Sequence, residues 1–268
     1  MVMEDPDAHE MFDSDGIGIF IPGTEYEREV DWGVMVKVFT YVGIAFFLMF
    51  VSTFVLIFGL IAVDLIHFDL IAGTIEFRPW SLVILTFSEI GLMIPPIVYV
   101  RRRGLSLSAI GLRRRISIPT EITLGLGVGA AMIVVNIVVS WLISQGTGIG
   151  GGDEELFLAY SPAEVVGWII VMFVIVGFGE ELLFRSFLQR RMETYLLSKT
   201  RRNKLAALVA TSILFSAFHL DAFGFPLRFA LGMMLGYLAQ RRNYSVLGPS
   251  VAHGLNNSFL IIAAALGF

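Results

Sequence analysis

Cysteine is absent from the sequence. That one absence excludes disulfides, thiolate metal sites and a cysteine nucleophile. Charge is scarce as well: Asp, Glu, Lys and Arg make up 16% of the 268 residues, and 56% are hydrophobic. A typical soluble domain carries roughly a quarter charged residues, so this balance points to a polytopic membrane protein instead. A His-Glu-x-x-His zinc-protease helix is missing, and there are only four histidines, His9, His67, His219 and His253. Positive charge is missing from the start of the chain. Met1 to Asp31 holds ten of the 23 acidic residues and a single basic one, Arg28. The reading is therefore a disordered acidic tail over 1–33, not a signal peptide, which opens on a basic region followed at once by an apolar one.

Long apolar runs are present in their place. They predict spans over Val38–Val63, Trp80–Val100, Ile122–Ile143, Pro162–Gln189, Leu205–Leu220, Leu227–Ala239 and Val246 to the C-terminus. Ser161-Pro162-Ala163-Glu164 is a capping-box start with proline at the first helical position. Pro95-Pro96 is expected to kink the second span or unwind its last turn. An eighth helix would be a break in span 1 or an amphipathic segment near Ile110. The fold class is thus all-α, a polytopic bundle of about seven to eight transmembrane helices. Two short helices, spans 5 and 6, are expected to line an intramembrane cavity, with their turn at Asp221–Pro226 inside the membrane. The chain divides into the tail 1–33, N-terminal spans and a basic loop over 34–115, and a core over 116–268.

With the N-terminus in the cytoplasm, alternating spans put 16 of the 19 lysines and arginines on the inner side. The positive-inside rule favours that orientation in a multi-pass cell-membrane protein. Two glycine patterns resemble dinucleotide fingerprints, Gly146 to Gly151 and Gly125 to Ala130. Neither follows a strand, so they read as an outer linker and a helix-packing face. No nucleic-acid partner is expected.

Chemistry is concentrated in three patterns. In Glu180-Glu181-x-x-x-Arg185, Glu181 and Arg185 stand at i and i+4 and are expected to pair. Glu180 lies about 100° around the helix and is left to act as a general base. Phe215-x-x-x-His219 brings a histidine that could orient a water beside Glu180 or bind a metal. His253-x-x-x-Asn257 puts two donors on one helix face, suited to stabilising an oxyanion. By helical rise, Glu180 lies about 15 Å from its basic loop, His253 about 16 Å and His219 about 22 Å. Glu89, in span 2, reads as a hydrogen-bonded structural acid or as a group facing the same cavity.

These motifs resemble the intramembrane endopeptidases of the CAAX protease and bacteriocin-processing (CPBP, or Abi) family, which includes the type II CAAX prenyl endopeptidase. The likeness covers roughly residues 116–268. It implies a peptidase in which Glu180 and His219 position and activate a water. His253 and Asn257 would stabilise the oxyanion, with Glu181 and Arg185 in support. The substrate implied is a membrane-associated, CAAX-type lipidated peptide or protein cleaved near its C-terminus. No cofactor is required on the glutamate-activated-water reading. The common classification as a metalloprotease keeps zinc held by Glu180, His219 and His253 open. The competing readings are a non-catalytic scaffold or immunity-type protein, and a small proton-coupled transporter. No inverted repeat of the transporter kind is found between the halves.

Overall fold

The computed structural model describes residues 27, 29–69, 73–112, 117–147, 159 and 161–266. The acidic stretch 1–26, the arginine triplet 113–115 and the glycine-rich loop 148–153 lie outside the described residues. The rest is an all-α bundle: α1 (Trp32–Ala62), α2 (Ser81–Arg102), α3 (Ile118–Thr147), α4 (Pro162–Leu197), α5 (Asn203–Phe218), α6 (Phe225–Arg241) and α7 (Leu247–Leu266). Helices α1 to α4 are each long and apolar enough to cross a membrane, and α5 is a shorter apolar helix.

Helix ends follow local chemistry. The Asp31 carboxylate accepts from the Val34 N–H at 2.7 Å, so α1 starts at Trp32, six residues before the apolar run suggested. Ser161 caps α4 by accepting from the Glu164 N–H at 3.2 Å. The Glu164 carboxylate accepts from the Trp80 N–H at 2.7 Å and ties α4 to the start of α2. The irregularity of α2 lies upstream of the prolines and not in its last turn. Pro95 and Pro96 sit within helical Ile90–Arg102, and a 3-10 turn over Thr86–Glu89 precedes it. The carbonyls that the prolines deprive of a partner are those of Gly91 and Leu92, inside the helical part.

Two differences concern connections. Between α1 and α2 the chain forms an antiparallel hairpin, β1 (Ile66–Asp69) with β2 (Thr74–Phe77), in register Ile66 to Phe77. No eighth helix is found among the described residues. Helix α1 is unbroken, and the segment near Ile110 is one buried 3-10 turn, Leu107–Ile110.

The Gly125 face packs helices together. A Cβ at Gly125 would lie 2.6 Å from the Gly248 carbonyl oxygen, and one at Gly129 would lie 2.9 Å from that of Ala252. Small residues thus let α3 and α7 approach backbone to backbone. At the arginine-rich end, Glu121 of α3 pairs with Arg242 at 2.8 Å and accepts from the Gly248 N–H at 3.1 Å. The same end holds Glu27, whose carboxylate accepts from Tyr99 at 2.8 Å and pairs with Arg103 and Arg191 at 2.9 Å each. The basic termini of α2, α4 and α6 therefore share one end of the bundle.

Candidate active site

Helix α4 is irregular where its charges lie. Two π-helical stretches, Met172–Gly177 and Leu182–Gln189, flank a single α turn, Phe178–Glu181. Each π turn widens the helix and re-aims the side chains beside it. The paired glutamates occupy the α turn between them.

Close backbone contact brings α7 to this turn. A Cβ on Gly177 would lie 2.8 Å from the Ser250 carbonyl oxygen and 3.1 Å from the Gly254 nitrogen. A Cβ on Gly254 would meet the Phe173 ring at 2.7 Å. The two glycines remove the bulk that would separate the helices, and His253 arrives beside the glutamates.

Glu181 is the hub. Its Oε1 accepts from His253 Nδ1 at 3.0 Å, and its Oε2 lies 3.1 Å from Arg185 Nε. The second contact has the distance of an ion pair but not the alignment of a hydrogen bond. Glu181 and Arg185 are fully buried. The Arg185 guanidinium also lies over the Phe215 ring, 4.3 Å from its centroid, a buried cation–π contact. With Nδ1 committed to Glu181, His253 turns Nε2 toward Glu180, 3.9 Å from Oε2. That is too long for a direct hydrogen bond. Glu180 Oε2 is buried and makes no hydrogen bond of its own. In ionised form Glu180, Glu181, Arg185 and His253 sum to zero charge, which suits a buried cluster.

Of the sequence candidates, the structure gathers Glu180, Glu181, Arg185 and His253, with Asn257 one turn further along α7. His219 stands apart. Its Nδ1 bonds the Phe215 carbonyl at 2.8 Å at the C-terminal end of α5, and it is exposed. Phe215 separates the two imidazoles, with its ring 5.0 Å from His219 and 6.0 Å from His253. Among the described residues no three His, Cys, Asp or Glu side chains are grouped to hold a metal ion. Glu180 and His253 offer two donors to zinc, but His219, bonded to the Phe215 carbonyl, is not presented as a third, so this donor set does not fit the metal.

Phe215, which enters the sequence pattern only as the companion of His219, forms a wall of the site. Glu89 is expected as a hydrogen-bonded structural acid or as a group facing the cavity. Its Oε2 makes no hydrogen bond, and its carbonyl lies 3.6 Å from where a Cβ on Gly179 would be. It therefore borders the glutamate turn from α2.

Residues 162–259 match the family model described as "Type II CAAX prenyl endopeptidase Rce1-like". The matched stretch runs from the first turn of α4 to beyond Asn257 and holds all three polar patterns. Nothing matches the chain among curated proteins or among solved structures.

Proposed function

We propose that this chain, whose residues 162–259 belong to the Rce1-like type II CAAX prenyl endopeptidase family, cleaves a peptide bond near the C-terminus of a membrane-associated, CAAX-type lipidated substrate. A membrane-embedded CAAX-type protease is what the family and the apolar helices support together. The observation that carries the proposal is the orientation of His253: Glu181 grips Nδ1, and Nε2 faces Glu180.

In this mechanism Glu180 takes a proton from water as the water attacks the scissile carbonyl carbon. The carbonyl oxygen becomes an oxyanion, and His253 Nε2–H and the Asn257 amide donate to it. With Nδ1–H given to Glu181, the ring donates from Nε2 only as imidazolium, and the adjacent carboxylates supply the counter-charge. Glu180 then delivers its proton to the departing amine as the carbon–nitrogen bond breaks. His219, at the rim with Nε2 free of the Phe215 bond, is placed to contact the water or the substrate backbone. Helices α1 to α7 hold this site in the cell membrane, with the arginine-rich end cytoplasmic.

Purified protein in nanodiscs is to be assayed on prenylated C-terminal peptides and on a panel of membrane peptides. Glu180→Ala and Glu180→Gln are expected to lose at least about 10³-fold in kcat with unchanged folded yield, as when a group that acts on the reacting water is removed. Equal product from wild type and Glu180→Ala would refute the assignment. Activity that survives phenanthroline is expected; its loss, restored by added zinc, would bring the metal reading back.

A further inference from the structure

A polar chain runs from α3 into α7 and stops at the proposed oxyanion site. Ser140 Oγ donates to Asn136 Oδ1 at 3.3 Å, Asn136 Nδ2 donates to Asn256 Oδ1 at 3.5 Å, and Asn256 Nδ2 donates to Asn257 Oδ1 at 3.2 Å. Each amide accepts at oxygen and donates at nitrogen, so every link points the same way. The last donor in the series is the NH2 of Asn257. It bonds to no described residue, and it is not among the buried atoms left without a partner.

We propose that Asn256 and Asn136 are positioning residues for Asn257, holding its carboxamide with the NH2 turned toward the cleft beside His253. The inference rests on the endopeptidase reading for its catalytic consequence. Neighbouring residues on a helix diverge by about 100°, so Asn256 can face α3 while Asn257 keeps to the face of His253, four residues back. A carboxamide is planar, with oxygen and nitrogen on opposite edges. A donor fixed on the Asn257 oxygen therefore decides where its nitrogen points. Without it, the amide can turn over and present its oxygen to a developing oxyanion, which repels instead of stabilising.

Helix adhesion alone does not call for this arrangement. Gly125 and Gly129 already seat α3 on α7 by direct backbone contact. Asn136 and Asn256 are nonetheless buried, at 6% and 2% exposure. Hydrogen bonds between membrane helices contribute little on average, because the separated helices find other partners, so two buried amides add little adhesion. Their consistent direction is what a positioning role requires.

The test uses the whole chain in nanodiscs, with Asn256→Leu and Asn136→Leu as shape-matched variants. In asparagine-selective 15N spectra, the side-chain NH2 pair of Asn257 is assigned by its disappearance in Asn257→Ala. Asn256→Leu is expected to shift that pair and to lower kcat about 10-fold to 100-fold, the scale of a misplaced catalytic group, with KM within about twofold. Asn136→Leu shifts the pair less and in the same direction, and it carries the test if Asn256→Leu does not fold. The double variant Asn256→Leu/Asn257→Ala is expected to be no slower than Asn257→Ala, since a residue acting through another adds nothing once that residue is gone. Unmoved Asn257 signals, or additive losses in the double variant, would overturn the proposal. Wild type inactive on every peptide would instead refute the endopeptidase reading, and the spectra would still decide the amide's orientation.

Discussion

Helices α1 and α4 are both long and apolar, and they are built in opposite senses. In its most apolar stretch, α1 buries 11% of its residues within the protein, whereas α4 buries 50%. The large side chains of α1 point outward: Phe47, Phe50, Val55 and Phe58 are all more than half exposed. In α4 every residue from Leu182 to Glu193 is inside, including Arg185, Gln189, Arg190, Arg191 and Glu193. In a bilayer apolar residues gain nothing from leaving lipid for protein, so the charged helix moves to the centre and the apolar one faces lipid. Two helices alike by hydropathy therefore take opposite places, and the site forms where charges had to be matched.

The sharpest way to break this contrast is to remove one partner of the buried cluster. Glu181→Ala takes the hydrogen-bond acceptor from His253 and the ion-pair partner from Arg185, and Arg185→Ala takes one of the two cationic partners from Glu181. Breaking a buried pair on one side costs about 3–5 kcal/mol, so both variants are expected to lose folded yield and thermal stability together with activity. Glu180→Ala should lose activity alone. Melting of Glu181→Ala at the wild-type temperature would show that Glu181 holds nothing together.

Next in size is the approach of α7 to α4. Gly254→Ala puts a methyl group onto the Phe173 ring, and Gly177→Ala puts one against the Ser250 carbonyl. Overpacking of this kind costs about 1–3 kcal/mol, and here it also draws His253 away from Glu181. The expected result is a lower melting temperature and a kcat loss larger than the stability loss explains. Gly127→Ala, with nothing within 4 Å of the new Cβ, is the matched control.

This part of the molecule separates what the sequence discloses from what it does not. The Glu181–Arg185 pair, the seven helices and the Ser161 cap follow from spacing of four residues or fewer, where helix geometry settles the outcome. The grip of Glu181 on His253 joins residues 72 apart. It depends on two π turns and two glycine contacts that leave no mark in the hydropathy pattern. Sequence reasoning gave Glu181 to Arg185 alone, whereas the carboxylate uses one oxygen for each partner. The sequence offers His219 as a group to orient a water beside Glu180 or to bind a metal, and the turn that ends α5 sets it beyond Phe215, at the rim. Glu164 also reaches Trp80, a contact across 84 residues that no local cap pattern discloses, at a helix start that presents free N–H groups.

A smaller effect tests the polar core at the arginine-rich end by pH. Tyr244, between α6 and α7, donates to Glu193 Oε2 at 2.5 Å and is buried. Burial first, and the Glu193 charge second, push its phenol well above the usual value of 10.0. Its folded value exceeds the unfolded one, so its contribution is complete below the unfolded value of about 10 and is lost as pH rises from there through the folded value. Urea or thermal unfolding between pH 8 and pH 11, on the order of this range, is expected to show a decline in stability that Tyr244→Phe reduces. An identical slope in the variant would locate the alkaline sensitivity elsewhere.

The least effect belongs to the lipid face of α1, and it completes the contrast. Phe58 is 67% exposed, so in a membrane its ring rests against acyl chains. Phe58→Leu exchanges one apolar surface for another in the same lipid and leaves no cavity in protein. The expected change in melting temperature is within the range of surface substitutions, about 0.5 kcal/mol either way, with kcat unaltered. Phe184→Leu, in the buried part of α4, makes the same chemical exchange among the Phe46, Phe215 and Phe218 rings. There the lost ring contacts have no lipid to replace them, and a cost of about 1–3 kcal/mol is expected. Equal responses at the two positions would mean that α1 is packed against protein in the membrane, and that the opposite orientation of the two helices belongs to the isolated chain alone.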